Sequence, residues 1–281
     1  MDLRTLRVHS WGGFGSQLNA LAFALEIVRN QPRRKIELVI HTGGITRRDL
    51  EIEPFVPEKF KIRRLDDFSL IMSNHAGSKV LGKFTSRLAT FLGVIVFSDR
   101  RSELSRIRSW TMSTRGHYSY ITHSDIVLKQ LCELLSIPLE EGKDSNENII
   151  HYRLGDLLSN MKGHIDSTSI SSLLNTASQQ SWTILTESPA DAKSLLTPLI
   201  DKSVSLTFAK VEPATVLRKG VLAQTFIGTN SKLSIWIVII RSYMKKRNTF
   251  MPISLKLGLS TNLTQLDLDR IHFYEDRVGN E

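Results

Sequence analysis

ENIIHYRLGD, residues 147–156, is the stretch on which the reading of this chain turns. It is a short β-like run, Ile149-Ile150-His151-Tyr152, that ends in Arg153, Gly155 and Asp156. Side chains alternate along a strand, so His151 and Arg153 share one face and Ile150 and Tyr152 the other. One reading is an edge strand with a solvated face and a Gly-Asp turn. The sharper reading is a buried strand whose carboxyl end aims a cationic pair, His151 and Arg153, at an anion.

The surroundings favour a buried strand. Just upstream, residues 140–148 (EEGKDSNEN) form nine positions with no apolar side chain, which suits a linker. Downstream, strand and helix patterns alternate. Ile170, Leu173, Leu174 and Ala177 mark a helix with Ser167 or Ser169 near its start, Trp182–Leu185 a strand and Asp191–Leu196 a short helix. Val204–Phe208 is a strand, Thr215–Leu222 a helix, Thr225–Gly228 a strand, and a helix runs from about Ser231 to Lys246. Lys245, Lys246 and Arg247 suit the negative end of its dipole.

The amino-terminal half opens in the same way. Leu6–His9 is a strand and Gly12-Gly13-Phe14-Gly15 a loop. Leu18, Leu21, Ala22, Leu25 and Val28 form one face of a helix, with Ser16 as candidate cap, and Ile36–His41 is a second strand. Strand, helix and strand with short connections make a βαβ unit and a parallel sheet. Residues 45–135 carry less pattern, although Ala89–Phe97 suits a helix running into a strand and Ile126–Leu135 an amphipathic helix. The expectation is an α/β protein of two domains, 1–145 and 146–281, with ligands at the carboxyl ends of strands and in the cleft between domains.

Composition narrows the partners. Hydrophobic residues at 41% and charged residues at 23% are globular values. A single cysteine, Cys132, rules out a disulfide framework and fits a reducing, cytoplasmic setting. The net charge of +9 favours a polyanionic partner: nucleic acid, an anionic membrane surface or a phosphorylated substrate. The basic residues are scattered, without interleaved aromatics, and no zinc finger, RNP motif or basic zipper is present, so nucleic acid is the weaker choice. The amino terminus is polar, with no signal peptide. The apolar runs Leu92–Phe97 and Ile235–Ile240 fall well short of the ~20 residues that span a bilayer. A soluble protein, or one peripheral on the cytoplasmic membrane face, is expected.

Four stretches just after predicted strands could carry chemistry. In Gly12-Gly13-Phe14-Gly15-Ser16-Gln17, glycines let a backbone approach an anion and a helix start offers N–H groups. Neither the dinucleotide fingerprint nor a P-loop is present, and a plain tight turn explains the stretch equally well. In His151–Asp156, Arg153 is a good fork for diphosphate oxygens. In Thr186-Glu187-Ser188-Pro189, the carboxylate of Glu187 could accept from a ribose hydroxyl or a base N–H; the alternative is a helix cap with Pro189 in the first turn. In Gly228-Thr229-Asn230-Ser231, three hydrogen-bonding side chains exceed what one cap requires, and with the helix N–H groups they would cradle phosphate.

Gly12–Gln17, His151-x-Arg153-x-Gly155-Asp156, Thr186-Glu187 and Asn230-Ser231-x-x-Ser234-x-Trp236 occur in an order and spacing that resembles the bacterial α-1,2-fucosyltransferase family. The H-x-R-x-G-D motif alone is shared by a wider fucosyltransferase superfamily; the set of four is specific. Departures stand at Ser16, where the family has asparagine, at Leu154 and Leu157 in place of arginine and tyrosine, and at Thr186-Glu187-Ser188 and Lys232-Leu233. The acidic residue usual before the last strand is missing from residues 214–218.

The resemblance implies a GT-B fold, two Rossmann-like domains facing each other across a cleft. It implies an inverting transferase that moves fucose from GDP-fucose onto a glycan acceptor, such as a lipid-linked or surface polysaccharide unit, without a metal or other cofactor. Arg153 and His151 would be catalytic. Arg153, Glu187, Ser188, Thr229, Asn230 and Ser231 would hold the donor. Gly12, Gly13, Gly15, Ser16 and Gln17 would form a glycine-rich loop facing the cleft. No general base is evident; His164, Asp166 and Asp156 are the nearest candidates. Asp267-Leu268-Asp269 is formally a metal-binding D-x-D but reads as solvated helix charge. The rival from another class is a non-catalytic nucleotide-sugar or glycan-binding protein of the same fold.

Overall fold

The computed structural model describes residues 5–43, 49–66, 88–97, 104–119, 121–140, 145–154, 166–177, 181–254 and 266–276. The chain divides into two compact units, Met1–Leu134 and Leu135–Glu281. The division falls just before the polar run 140–148 that the sequence offers as a linker. Each unit is an α/β layer with a parallel sheet.

In the first unit, β1 (Thr5–Trp11), β2 (Lys35–His41), β3 (Lys61–Leu65), β4 (Ile95–Phe97) and β5 (Ser113–Arg115) lie in the order β3-β2-β1-β5-β4. Register and alternation sort the faces. Leu6, Val8, Ile36, Leu38 and Ile40 share one face and are buried. The other face carries Arg7, His9, Glu37, His41, Arg63 and Arg115. Glu37 anchors that polar face, taking Arg7 Nε at 2.9 Å and Arg63 Nη2 at 2.7 Å.

Helix α1 (Phe14–Asn30) follows β1. The sequence suggests one apolar face; the helix is in fact buried all round from Phe14 to Ile27. Alanines and small polar side chains on its second face let it pack on both sides. The expected cap at Ser16 is a correction. Gly13 is the N-cap, because the Ser16 and Gln17 N–H groups already bond the Gly13 carbonyl at 2.8 and 3.2 Å, so Ser16 lies inside the first turn. Helix α2 (Asp125–Leu134) buries Val127, Leu128, Leu131 and Cys132, the face expected from its periodicity.

The second unit holds β6 (Asn148–His151), β7 (Ser181–Leu185), β8 (Ser205–Ala209), β9 (Thr225–Gly228), β10 (Thr249–Pro252) and β11 (Ile271–Tyr274). Their order is β11-β10-β9-β6-β7-β8, with parallel pairing throughout. Strands run outward from β6 in one direction and from β9 in the other, the doubly wound Rossmann order. The helices are α3 (Ser167–Thr176), α4 (Pro189–Leu196), α5 (Pro213–Leu222) and α6 (Lys232–Tyr243). Ile150, Tyr152 and Leu154 join Trp182 and Ile184 in a core against Ile170 and Leu174 of α3 and Ala192 and Leu196 of α4. β6 is therefore a central strand, and the edge-strand reading of ENIIHYRLGD is excluded.

Arg241 ties α6 to the end of α5. It is 1% exposed, and its guanidinium donates to the Gly220, Val221 and Ala223 carbonyls at 3.2, 3.2 and 2.7 Å, to Thr249 Oγ1 at 2.8 Å and to the Arg247 carbonyl at 2.6 Å. These carbonyls include the unsatisfied end of α5, where the dipole is negative, so the helix terminus does the work of a counter-ion. Burial still pulls the arginine down to about 10. Arg241→Met keeps the aliphatic bulk but strands several buried carbonyls. It should cost at least ~3 kcal/mol, read as a drop in the urea midpoint; a midpoint within experimental error of the parent would show that the carbonyls find other donors.

Candidate functional site

The carboxyl ends of β9, β6 and β7 are adjacent in the sheet, and each leads into one of the stretches singled out from the sequence. Arg153 follows β6, Glu187 follows β7, and Asn230-Ser231 follow β9. The strand order reverses between β6 and β9, the switch point at which sheets of this topology bind ligands. Residues more than seventy positions apart in sequence meet at it.

The end of β6 is closed by hydroxyl groups. The ladder between β6 and β9 stops at His151 opposite Gly228. Beyond it, Thr229 Oγ1 donates to the His151 carbonyl at 2.8 Å and accepts the Arg153 N–H at 3.1 Å. The Tyr152 N–H turns the other way, to the Leu185 carbonyl of β7 at 2.9 Å. Gly228 is required at this point: a Cβ there would meet Met251 sulfur at 2.4 Å and Phe226 Cε1 at 3.0 Å.

His151 is not half of a cationic pair, and that expectation is corrected. It is 4% exposed, and its Nδ1 lies 2.8 Å from Ser234 Oγ on α6. Ser234 Oγ also accepts the Thr229 N–H at 3.2 Å. That hydroxyl has both a proton to give and a second lone pair, so it satisfies His151 Nδ1 in either tautomer. Burial first, and then the Arg153 charge, lower the His151 pKa to about 3. His151 is neutral and braces the strand end. Arg153 lies two residues past the end of β6 rather than within the strand, and it is partly buried.

The loop after β9 spends more on itself than the sequence suggested. Thr229 bridges the strand ends, and Ser231 is the N-cap of α6, its Oγ taking the Ser234 N–H at 3.0 Å. The side chains of Thr229 and Ser231 are therefore engaged within the fold. Asn230 is partly exposed at the start of the twelve-residue α6. Across β6, Glu187 is exposed, and Ser188 is the N-cap of α4 with Pro189 in the first turn and no side-chain cap bond. Thr186 is buried, and its hydroxyl takes the Ser188 N–H at 3.3 Å.

In the first unit, Gly12 adopts φ +95°, a conformation glycine adopts without strain. Gly12 and Gly13 are partly exposed, whereas Gly15, Ser16 and Gln17 are buried. Gln17 Nε2 donates to the Gly12 carbonyl at 3.1 Å and the Asp49 carbonyl at 2.8 Å, while its Oε1 accepts the Glu51 and Ile52 N–H groups, both at 3.0 Å. Every hydrogen-bonding site of that amide is used, so Gln17 clamps the loop to residues 49–52.

A buried histidine pair was missed from the sequence. His9 Nδ1 and His41 Nε2 lie 2.9 Å apart, with the rings stacked at 5.2 Å between centroids. Burial, with His41, Arg115, Arg7 and Arg63 adding to it, lowers the His9 pKa to about 3. The signal was available: both histidines sit in strands read correctly, on the same face of a parallel pair. Nearby, the rings of Trp11 and His117 meet at 4.5 Å, where β1 and β5 end side by side.

Gly155, Asp156 and His164 lie outside the described residues. Asp166 precedes α3 and accepts the Thr168 hydroxyl. Asp267 of the D-x-D is held by Arg270 Nε at 2.6 Å, and Asp269 is exposed. Among the described residues, no group of three or more side chains is placed to hold a metal ion.

No family model and no curated protein matches the chain. Among solved structures it is similar to a family 9 glycosyl transferase from Veillonella parvula, at 9% identity and TM-score 0.44 over 90% of this chain and 81% of that one. It is also similar to the E. coli heptosyltransferase WaaC with ADP-2-deoxy-2-fluoro heptose, at 9% identity and TM-score 0.42 over 88% of each chain. A sialyltransferase from Photobacterium damsela overlaps at 12% identity and TM-score 0.34, over 96% of this chain and 81% of that one. Overlap this loose identifies neither a family nor a reaction.

Acid should unfold the protein early. His9 and His151 sit near 3 and His123, which burial lowers, near 4, against 6.5 when exposed. Lowered histidine pKa values mean that the unfolded chain binds more protons, so stability is full above pH 6.5 and falls as pH drops toward 3. At pH 5 each buried imidazole should cost roughly 2 kcal/mol. Urea midpoints measured from pH 8 to pH 5 should fall steadily, before carboxylates of ordinary pKa begin to protonate. A flat profile over that range would mean that the histidines are solvated.

Proposed function

We propose that the chain is a glycosyltransferase that moves a sugar from a nucleotide-sugar donor to a glycan acceptor. The donor in this reading is GDP-fucose, the linkage α-1,2 and the acceptor a lipid-linked or surface polysaccharide unit. The observation that carries the reading is the convergence of Arg153, Glu187 and Asn230 at the carboxyl ends of three adjacent strands, at and beside the β6/β9 crossover. These are the residues that the fucosyltransferase resemblance singles out, and the crossover is where doubly wound sheets bind nucleotides.

The donor diphosphate would lie at the amino end of α6, where the helix dipole and Asn230 face it. Arg153 would bind the phosphate oxygens and stabilise the charge that grows on GDP as the bond to the sugar breaks. His151, neutral and bonded to Ser234, would hold the β6 end in place and so aim Arg153. Exposed Glu187 would accept from the ribose hydroxyls or the guanine N–H groups. A guanidinium and a helix terminus suffice to offset the diphosphate, so no metal is needed.

Incubation with a panel of nucleotide sugars, scored for nucleotide release, is the direct test. GDP should raise the melting temperature and UDP or CMP should not, and EDTA should leave turnover intact. A shift selective for UDP would reject the fucose donor, and loss of activity in EDTA that Mg²⁺ restores would reject the metal-free mechanism. GDP binding without turnover of any GDP-sugar would leave a binding protein of this fold.

Arg153 gives the sharper test. Arg153→Ala should lower turnover roughly a hundredfold or more, a loss of about 3–4 kcal/mol in the transition state. Arg153→Lys should be nearly as harmful, because lysine keeps the charge but loses the fork that binds two oxygens. The urea midpoint should hardly move in either variant. Near-full turnover by a folded Arg153→Ala protein would remove the arginine from the reaction.

A further inference from the structure

Several large apolar side chains stand in water at one edge of the first unit. Leu88 is 47% exposed, Phe91 87%, Leu92 53% and Trp110 54%. They belong to one surface: Trp110 Nε1 donates to the Leu92 carbonyl at 3.1 Å, so the segment before β4 and the segment before β5 are joined. The turn after α1 reaches the same place, since Gln31 Nε2 bonds the Ile107 carbonyl at 3.2 Å and Arg34 bonds the Ser109 and Thr111 carbonyls. These contacts bring exposed Arg33, Arg106 and Arg108 to the apolar group. All three segments precede parallel strands, so the surface lies at the amino ends of the sheet, opposite the Gly12 loop.

We propose that this edge docks on an anionic lipid surface, with Phe91, Leu92 and Trp110 entering the headgroup region and the arginines binding lipid phosphates. Three features select lipid over protein. Phe91 is almost wholly exposed, which shallow insertion into a fluid interface relieves without any shape-matched partner. An aromatic-rich apolar tip ringed by arginines matches the layering of an anionic bilayer surface, acyl chains beneath phosphates. A second copy is disfavoured, because a two-fold contact through this face would set the arginines against their own symmetry mates. No helix among the described residues is long and apolar enough to cross a membrane. The proposal stands independently of the transferred sugar, and it leaves the carboxyl ends of the first sheet in water.

The test is co-flotation of the full chain with phosphatidylcholine vesicles, with and without phosphatidylglycerol. The protein should float with the anionic vesicles, and salt should weaken the association. Phe91→Asp should lower binding at least about tenfold, as should the pair Arg106→Gln and Arg108→Gln. Both variants alter exposed positions, so an unchanged urea midpoint and an unchanged thermal shift with GDP would show that fold and nucleotide site are intact. Failure of the parent to float would overturn the proposal. So would normal floating by Phe91→Asp, which would reduce the effect to net charge, or concentration-dependent self-association that Phe91→Asp abolishes in the absence of lipid.

Discussion

Two hydroxyl groups hold the carboxyl ends of β6 and β9 together, and the arrangement of the second unit depends on them. At a crossover point the chain must do two opposed things. The paired strands must stay in register, yet the loops that follow must leave in opposite directions. Backbone pairing stops there, and the His151 carbonyl and the Arg153 N–H lose their ladder partners. Thr229 Oγ1 replaces both at once, and Ser234 Oγ collects the next N–H and the imidazole. Gly228 leaves room for this, because a Cβ there would crowd the Met251 sulfur, the Phe226 ring and Ser234 Cβ. Arg153 is thereby placed by its backbone, one residue beyond a fully buried Tyr152.

Polar side chains close backbone gaps elsewhere too. Gln17 satisfies four backbone groups in two loops, and Arg241 gathers the carbonyls at the end of α5. Each would cost several kcal/mol if buried without partners, so each has value only where the rest of the fold supplies its full set. The glycines of the first loop permit its shape. Gln17, by bonding Gly12 and residues 49–52, selects it.

What could be read from the sequence divides along the same line. Strands β1, β2, β6, β7 and β9 and helices α1, α2 and α5 were legible within a residue or two or slightly more, because local apolar periodicity fixes them. Parallel pairing followed from the βαβ rhythm. That Arg153, Glu187 and Asn230 each follow the carboxyl end of a strand was legible as well. The bonding of Thr229, Ser231 and Gln17 was not. Their partners lie at the far ends of long loops of chain, and a threonine that bridges two strands has the same sequence neighbourhood as one that waits for a phosphate. Within residues 45–135, β4 and β5 span only three residues each, too few for alternation to show.

The opening motif shows how burial changes a charge count. Alternation correctly places His151 on the face opposite Ile150 and Tyr152, and the sequence invites reading it and Arg153 as two positive charges. A buried face beside a guanidinium cannot hold a second cation at neutral pH. Desolvation and the Arg153 charge act on His151 in the same direction, and the group with the lower intrinsic pKa gives up its proton. What remains is one permanent charge past the strand end and one neutral ring behind it, bonded to Ser234. A phosphate arriving at Arg153 would meet a permanent positive charge without having to recruit a proton, so its binding would be insensitive to pH across the range where an exposed histidine titrates.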